Sequence, residues 1–252
     1  MLAGDIMRTG NMTEKLTVGA LLTAIFAVTA LAFKGFVIIP GITEIRPVNA
    51  FPICFGLLFG NVGALACGLG NFIGDLIGGT LTLGSIGGFI GNYAMAYVPF
   101  RVWRGIKREN EEVLLLGSWR HYMLFFFLCL LSSTTAAGII PIFTDIIQMA
   151  PYTILFGIIF VNDFVAELFL GTIIYKFLAS IVIYGVLRPT WLRIRDKTIV
   201  SLRQSFSLAI ITLLCLVVGG VFFFTTPKGY GNTVVLYTMG IISVLMVVGM
   251  KA

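Results

Sequence analysis

"FPICFGLLFGNVGALACGLGNFIGD", residues Phe51 to Asp75, is apolar almost throughout, yet glycine recurs along it and an asparagine breaks it at FGNVG. In a single helix each of those glycines would cost roughly 1 kcal/mol relative to alanine. The run from Ala50 to Ile77 therefore reads as two short helices joined by a tight turn at Phe59–Gly63. Gly56, Gly60, Ala64 and Gly68 recur at four-residue spacing, as do Gly70, Gly74 and Gly78. Small residues so spaced let helices approach closely in lipid. Asn71 and Asp75 lie four apart and share one helix face near the end of the second segment.

The surroundings are as apolar as the stretch itself. The chain is 58% hydrophobic and only 11% charged, with a mean hydropathy of +1.02; soluble domains run near ~25% charged. Uncharged runs approach or reach the roughly 20 residues that cross a bilayer as a helix, and polar/apolar alternation is absent, so helices rather than a barrel do the spanning. The fold class is all-α integral membrane. A first span is expected from Leu16 to Ile39, ended by Pro40-Gly41, then the two short segments, a span from Ser85 to Phe100 and another from Tyr122 to Ile140. Pro141–Ala150 reads as a loop. Tyr152–Leu187 is too long for one crossing, which points to a short surface helix at Tyr152–Val161 and a crossing from Phe164 to Leu187. Phe206–Phe224 and Val234–Met250, joined by TPKGYGN, complete about eight crossings.

Charge sets the sidedness. Lys and Arg collect in the N-terminus, the 101–120 and 188–203 loops and the C-terminus, whereas the opposite side receives Lys34, Arg46 and Lys228. Cytoplasmic loops gather such cations, so both termini are expected in the cytoplasm of a multi-pass protein of the cell (plasma) membrane. The net charge of +6 then records topology, not nucleic-acid binding. The outer half holds Glu44, Asp75, Asp145, Asp163 and Glu167 and should form a mildly acidic mouth.

No removable signal peptide is read at the N-terminus. Cys54, Cys67, Cys129 and Cys215 stand singly, without metal or disulfide spacing. There is no G-x-x-x-x-G-K-[ST], no H-E-x-x-H, and the only histidine is His121. ATP binding by a P-loop, hydrolysis and a metal centre are not indicated; no catalytic residue and no cofactor are expected. Polar side chains at membrane depth are the functional candidates. Four clusters qualify: Glu44, Arg46 and Asn49 in the first outer loop; Asn71 and Asp75; Asn92 in GGFIGNY; and Asn162, Asp163 and Glu167, the last two on one face. Lys176, mid-span, is expected to pair with a carboxylate such as Glu167 or Asp75, the alternative being that it lines a polar path. Ala20, Ala24 and Ala27 give the first span a flat face able to dock a partner protein.

The Ala-x-x-x-Ala of the first span, the EIRP loop, the Phe51–Asp75 stretch and GSIGGFIGNYAMAYVPFRVWR together resemble the substrate-binding S components of energy-coupling factor (ECF) transporters, and loosely their queuosine-precursor branch. The similarity covers about residues 16 to 190. The resemblance implies a six-helix bundle that captures a vitamin or vitamin-like molecule in an outward cavity closed by the first loop. It also implies a membrane T component docking on the alanine face, with two cytoplasmic ATPases. Carried over by position, Arg46 and Asn49 fall in the gating loop, Asn71 and Asp75 on the third helix, Asn92 on the fourth and Asn162 at the start of the sixth. Residues 1–190 would form the substrate-binding membrane domain, and 191–252 a basic linker with two additional transmembrane helices that the family lacks. A further departure is RPVN, where queuosine-type loops carry Ser-Glu after Arg-x. Two other readings are a self-sufficient, ion-gradient-driven carrier of a small organic cation, and a membrane scaffold.

Overall fold

The computed structural model describes residues 2–34, 37–39, 43–44, 46–109, 111–227, 229 and 231–250, with side chains for 12–34, 46–109, 111–227, 229 and 231–250. Expectations on Pro40-Gly41, the Glu44 side chain and Lys228 fall outside them. In chain order the elements are α1 (Leu2–Ala32), a short antiparallel pair β1 (Val37–Ile39) and β2 (Thr43–Glu44), a 3-10 turn (Pro47–Ala50), α2 (Phe51–Phe59), α3 (Asn61–Ile77), α4 (Gly84–Ile106), α5 (Trp119–Ile146), α6 (Tyr152–Ala166), a π-helical turn (Glu167–Gly171), α7 (Thr172–Tyr184), α8 (Arg188–Ile194), α9 (Leu202–Thr225) and α10 (Thr233–Gly249). The protein is helical throughout its membrane part. Among the described residues, four helices are long and apolar enough to cross a membrane: Met12–Ala32, Trp119–Ile146, Tyr152–Tyr184 and Leu202–Thr225.

The stretch Phe51–Asp75 folds as two helices reversing at Gly60, whose φ of +57° is a conformation open to glycine. Each helix end left open by the reversal finds a partner from the 188–203 segment. Asp196 Oδ2 accepts from the Asn61 N–H at 3.2 Å, a first-turn donor that has no intrahelical acceptor. Leu58 O, a last-turn acceptor of α2, receives the Trp191 Nε1–H at 2.7 Å. Replacing Trp191 by Phe removes that donor and leaves a buried carbonyl unsatisfied. The variant is expected to lose about 1–3 kcal/mol of stability, read as a lower unfolding temperature of the purified protein. Close approach of α2 to α4 is set by Gly56, where a β-carbon would lie 2.0 Å from Ala96 O.

Three sequence expectations are corrected by the backbone. α1 stops at Ala32, not Ile39, because the β-branched Val37–Ile39 segment pairs with Thr43–Glu44 instead. α5 runs through Pro141 to Ile146, so the expected 141–150 loop shrinks; a proline within a membrane helix is tolerated when neighbours satisfy the carbonyl it frees. Pro99 in α4 illustrates how: it deprives Met95 O of its i+4 donor, and Ser132 Oγ on α5 donates to that oxygen at 2.7 Å. Finally, α6 and α7 form one continuous run through the π turn rather than a surface helix and a crossing. The polar NDFVAE motif does not break it, since Asp163 and Glu167 turn inward to partners.

Side-chain contacts define two ends. At one, Glu14 pairs with Arg193 (2.7 Å), Arg195 with Glu112 (2.6 Å), and Arg104 Nη2 donates to Thr198 O (3.1 Å). At the other lie the 3-10 turn, the ends of α3 and α5, and the starts of α4 and α6. The α9–α10 hairpin packs on α4, α5 and α6, and α10 also reaches α5.

Candidate functional site

At the second end, a small, partly open cavity of about 60 Å³ is lined by Arg46, Asn49, Asn92, Asn162 and Asp163 on its polar side. Ile140, Leu155 and Ile159, with Thr144, complete the wall. Three separate sequence clusters thus meet at one place. Pro47–Ala50 delivers Arg46 and Asn49 from above, α4 delivers Asn92, and α6 delivers Asn162 and Asp163. Proline at the first position of the 3-10 turn pre-sets the backbone that points Asn49 inward, where it is 6% exposed.

Asp163 is the buried centre of this arrangement, 2% exposed. Burying a carboxylate is costly unless it is paired and hydrogen-bonded. Asn49 Nδ2 donates to its Oδ1 at 2.5 Å, and the Arg46 charge acts on it as well. Asn49 Oδ1 is buried and has no hydrogen-bond partner among the described residues. Asn92 Nδ2 donates to Gly88 O at 2.8 Å, a bond within its own helix that fixes the amide at the wall.

Asn71 and Asp75 do not line the cavity but adjoin it through Arg46. Arg46 Nη1 donates to Asn71 Oδ1 (3.3 Å), Asn71 Nδ2 to Asp75 Oδ2 (3.4 Å), and Thr80 Oγ1 to Asp75 Oδ1 (3.4 Å). Lys34 Nζ closes the chain on Thr80 Oγ1 at 2.6 Å. Arg46 and Lys34 thus stand at the two ends of a hydrogen-bonded chain that runs through Asn71, Asp75 and Thr80.

Glu167 sits apart from the cavity. It is fully buried in the π turn, in contact with Ser132 Oγ, and accepts from Ser133 Oγ at 3.0 Å; the Ile53 N–H in the first turn of α2 also reaches it. These contacts make it a cross-link between α2, α5 and the π turn, and π turns of this kind recur at functional sites. Ser132, Ser133 and Thr144 were not visible as site residues in the sequence, because hydroxyls in a membrane helix ordinarily bond their own i−4 carbonyl. Among the described residues Lys176 pairs with no carboxylate; its Nζ donates to Tyr122 Oη at 3.2 Å.

A second concavity runs along α1 and α3, a groove of about 970 Å³. Ala20 and Ala24 are exposed on it, Ala27 is buried at its floor, and Arg193 and Lys197 stand at one end. Leu65 and Leu69 supply the facing apolar wall.

Among curated proteins and among solved structures, none matches the chain. A family model described as QueT transporter matches residues 16–180, from the alanine face of α1 to α7, and includes every residue of the cavity wall. The chain belongs to the QueT transporter family, the queuosine-precursor branch of ECF-transporter S components.

Proposed function

We propose that this chain is the substrate-capture subunit of an ATP-driven uptake transporter for a vitamin-like small molecule, with queuosine precursors the first candidates. The observation that carries the reading is the convergence of Arg46, Asn49, Asn92, Asn162 and Asp163 on one small cavity. A carboxylate, a guanidinium, amides and an apolar wall suit a compact, heteroatom-rich ligand held by several directed hydrogen bonds. At about 60 Å³ the cavity has room for roughly two waters. It is the closed form of the site, and a ligand is admitted by outward movement of the Pro47–Ala50 turn and the β1–β2 segment above it.

The basic end faces the cytoplasm of the cell membrane, and eight helical passes, six of the S-component kind and two from α9–α10, connect it to the outer end. The groove over Ala20 and Ala24 is the surface for a membrane T component, which in turn engages two cytoplasmic ATPases. Residues 1–190 carry capture and 191–252 the linker and additional helices. No reaction is catalysed by the chain itself.

The test is affinity purification of the full-length chain from its native membrane, with a binding screen of queuosine precursors and vitamins. Submicromolar binding of one compound and co-purification of ATPases are expected. Absence of both would refute the reading. Arg46→Ala is expected to weaken binding at least about tenfold by removing a partly buried charge-assisted donor. Uptake by the chain alone in liposomes, driven by a proton or sodium gradient, would favour a self-sufficient carrier instead.

A further inference from the structure

The cavity takes part of its wall from a strained corner. α5 ends at Ile146 and α6 begins at Tyr152; the two flanks supply Thr144, Leu155 and Ile159 to the lining. Between them Gln148 has a φ of 56°, a left-handed conformation that costs a non-glycine residue about 1 kcal/mol or more. The Gln148 and Met149 N–H groups fold back onto Asp145 O and Thr144 O, each at 2.9 Å. Such a backbone persists only where its surroundings over-determine it.

Asp145 supplies that determination. It is 2% exposed, and its carboxylate does not face an outer mouth as its charge alone had indicated. Oδ2 accepts from the Tyr152 N–H at 2.6 Å, a first-turn donor of α6, and Oδ1 accepts from the Gly231 N–H at 2.7 Å, in the turn between α9 and α10. One buried carboxylate thus ties the end of α5, the start of α6 and the hairpin turn together. Further along the helices the same three elements interlock. Tyr152 Oη and Ser243 Oγ both donate to Gly138 O, at 3.2 and 3.3 Å. The Phe156 ring lies on Gly219 and the Phe223 ring on Gly157, so that a β-carbon on either glycine would fall within 2.5 Å of the facing ring.

We propose that the α9–α10 hairpin, which lies beyond the family match, is an intramolecular brace of the substrate cavity, with Asp145 as its positioning residue. By holding the α5–α6 corner in its strained form, the brace fixes Thr144, Leu155 and Ile159, and residues that never touch substrate set its affinity. The second half of this statement rests on the reading of the cavity as the substrate site.

Two adjacent glycines offer a matched test in the full-length chain in lipid nanodiscs. A β-carbon at Gly219 would meet the buried Phe156 ring at 2.3 Å, whereas at Gly220 nothing lies within 4 Å. The readouts are amide hydrogen exchange over residues 144–159 and the affinity for a radiolabelled queuosine precursor. Gly219→Ala and Asp145→Asn are each expected to raise exchange across the corner while leaving α1 and α3 unchanged, and to weaken binding about tenfold, equivalent to about 1.4 kcal/mol. Gly220→Ala should match the wild type in both. Unchanged exchange at the corner, unchanged affinity despite faster exchange, or a uniform rise that includes α1 and α3 would each overturn the proposal. If Asp145→Asn does not fold, the glycine pair decides alone. Failure of the wild type to bind would refute the substrate reading, while the exchange measurement would still decide whether the brace exists.

Discussion

Gly56→Ala is expected to cut the yield and homogeneity of the folded protein sharply. At this position the added β-carbon would sit 2.0 Å from Ala96 O and 2.8 Å from Ala96 C, both backbone atoms of α4. A side chain can rotate away from an intruding methyl, but a helix backbone cannot. Overpacking usually costs about 1–3 kcal/mol, and here the whole of α2 must be displaced, which places the cost at or above the upper end. Displacing α2 also strains Gly63, where a β-carbon would lie 2.1 Å from Phe55 O, and weakens the Glu167 cross-link. Against a typical stability of about 5–15 kcal/mol, a loss of this size reaches expression yield and homogeneity. Size-exclusion profiles of the variant beside Gly240→Ala, whose β-carbon meets nothing within 4 Å, are the measurement. A monodisperse Gly56→Ala protein with wild-type yield would mean that α2 and α4 are not packed as described.

Asp163→Ala should abolish measurable substrate binding in a protein that still folds. Asp163 anchors Asn49 at 2.5 Å and faces the cavity, and its removal leaves the Asn49 amide and the nearby Arg46 charge without their buried counterpart. Truncating one member of a buried, hydrogen-bonded charge set costs about 2–5 kcal/mol, which corresponds to a loss of well over tenfold in affinity. Asp163→Asn keeps an acceptor oxygen and removes the charge, so it should fall between the wild type and the alanine variant. Isothermal titration with the ligand found in the screen would rank the three.

How far the sequence foretells this molecule differs from element to element. The reversal at Gly60 could be read because glycines at four-residue spacing serve helix packing while FGNVG cannot continue a helix; the turn needs the positive φ that glycine allows. That Arg46, Asn49, Asn92, Asn162 and Asp163 come together follows from counting crossings, since the count places each of them in the half of the bundle on the less basic side. What the count could not give is which polar residue faces a cavity and which faces a neighbour. Asp163 and Glu167 share one helix face, yet the first lines the cavity and the second bonds Ser132 and Ser133 on α5. Hydropathy treats both alike, because the difference lies in partners more than thirty residues away in sequence. Pro141 misled for a related reason: proline ends helices in water, but in lipid the alternative to a helix is an unsatisfied backbone, and α5 continues. Lys176 and Asp145 were read by charge alone, whereas a phenolic oxygen and two backbone N–H groups decide their roles.

If the cavity beneath Pro47–Ala50 holds the substrate, equilibrium binding of a radiolabelled queuosine precursor to the purified chain will show it. Saturable submicromolar binding by the wild type, lost in Asp163→Ala and retained in Gly220→Ala, is the expected result. Binding that survives Asp163→Ala unchanged would contradict that assignment, because the ligand would then be held somewhere other than the site built from Arg46, Asn49, Asn92, Asn162 and Asp163.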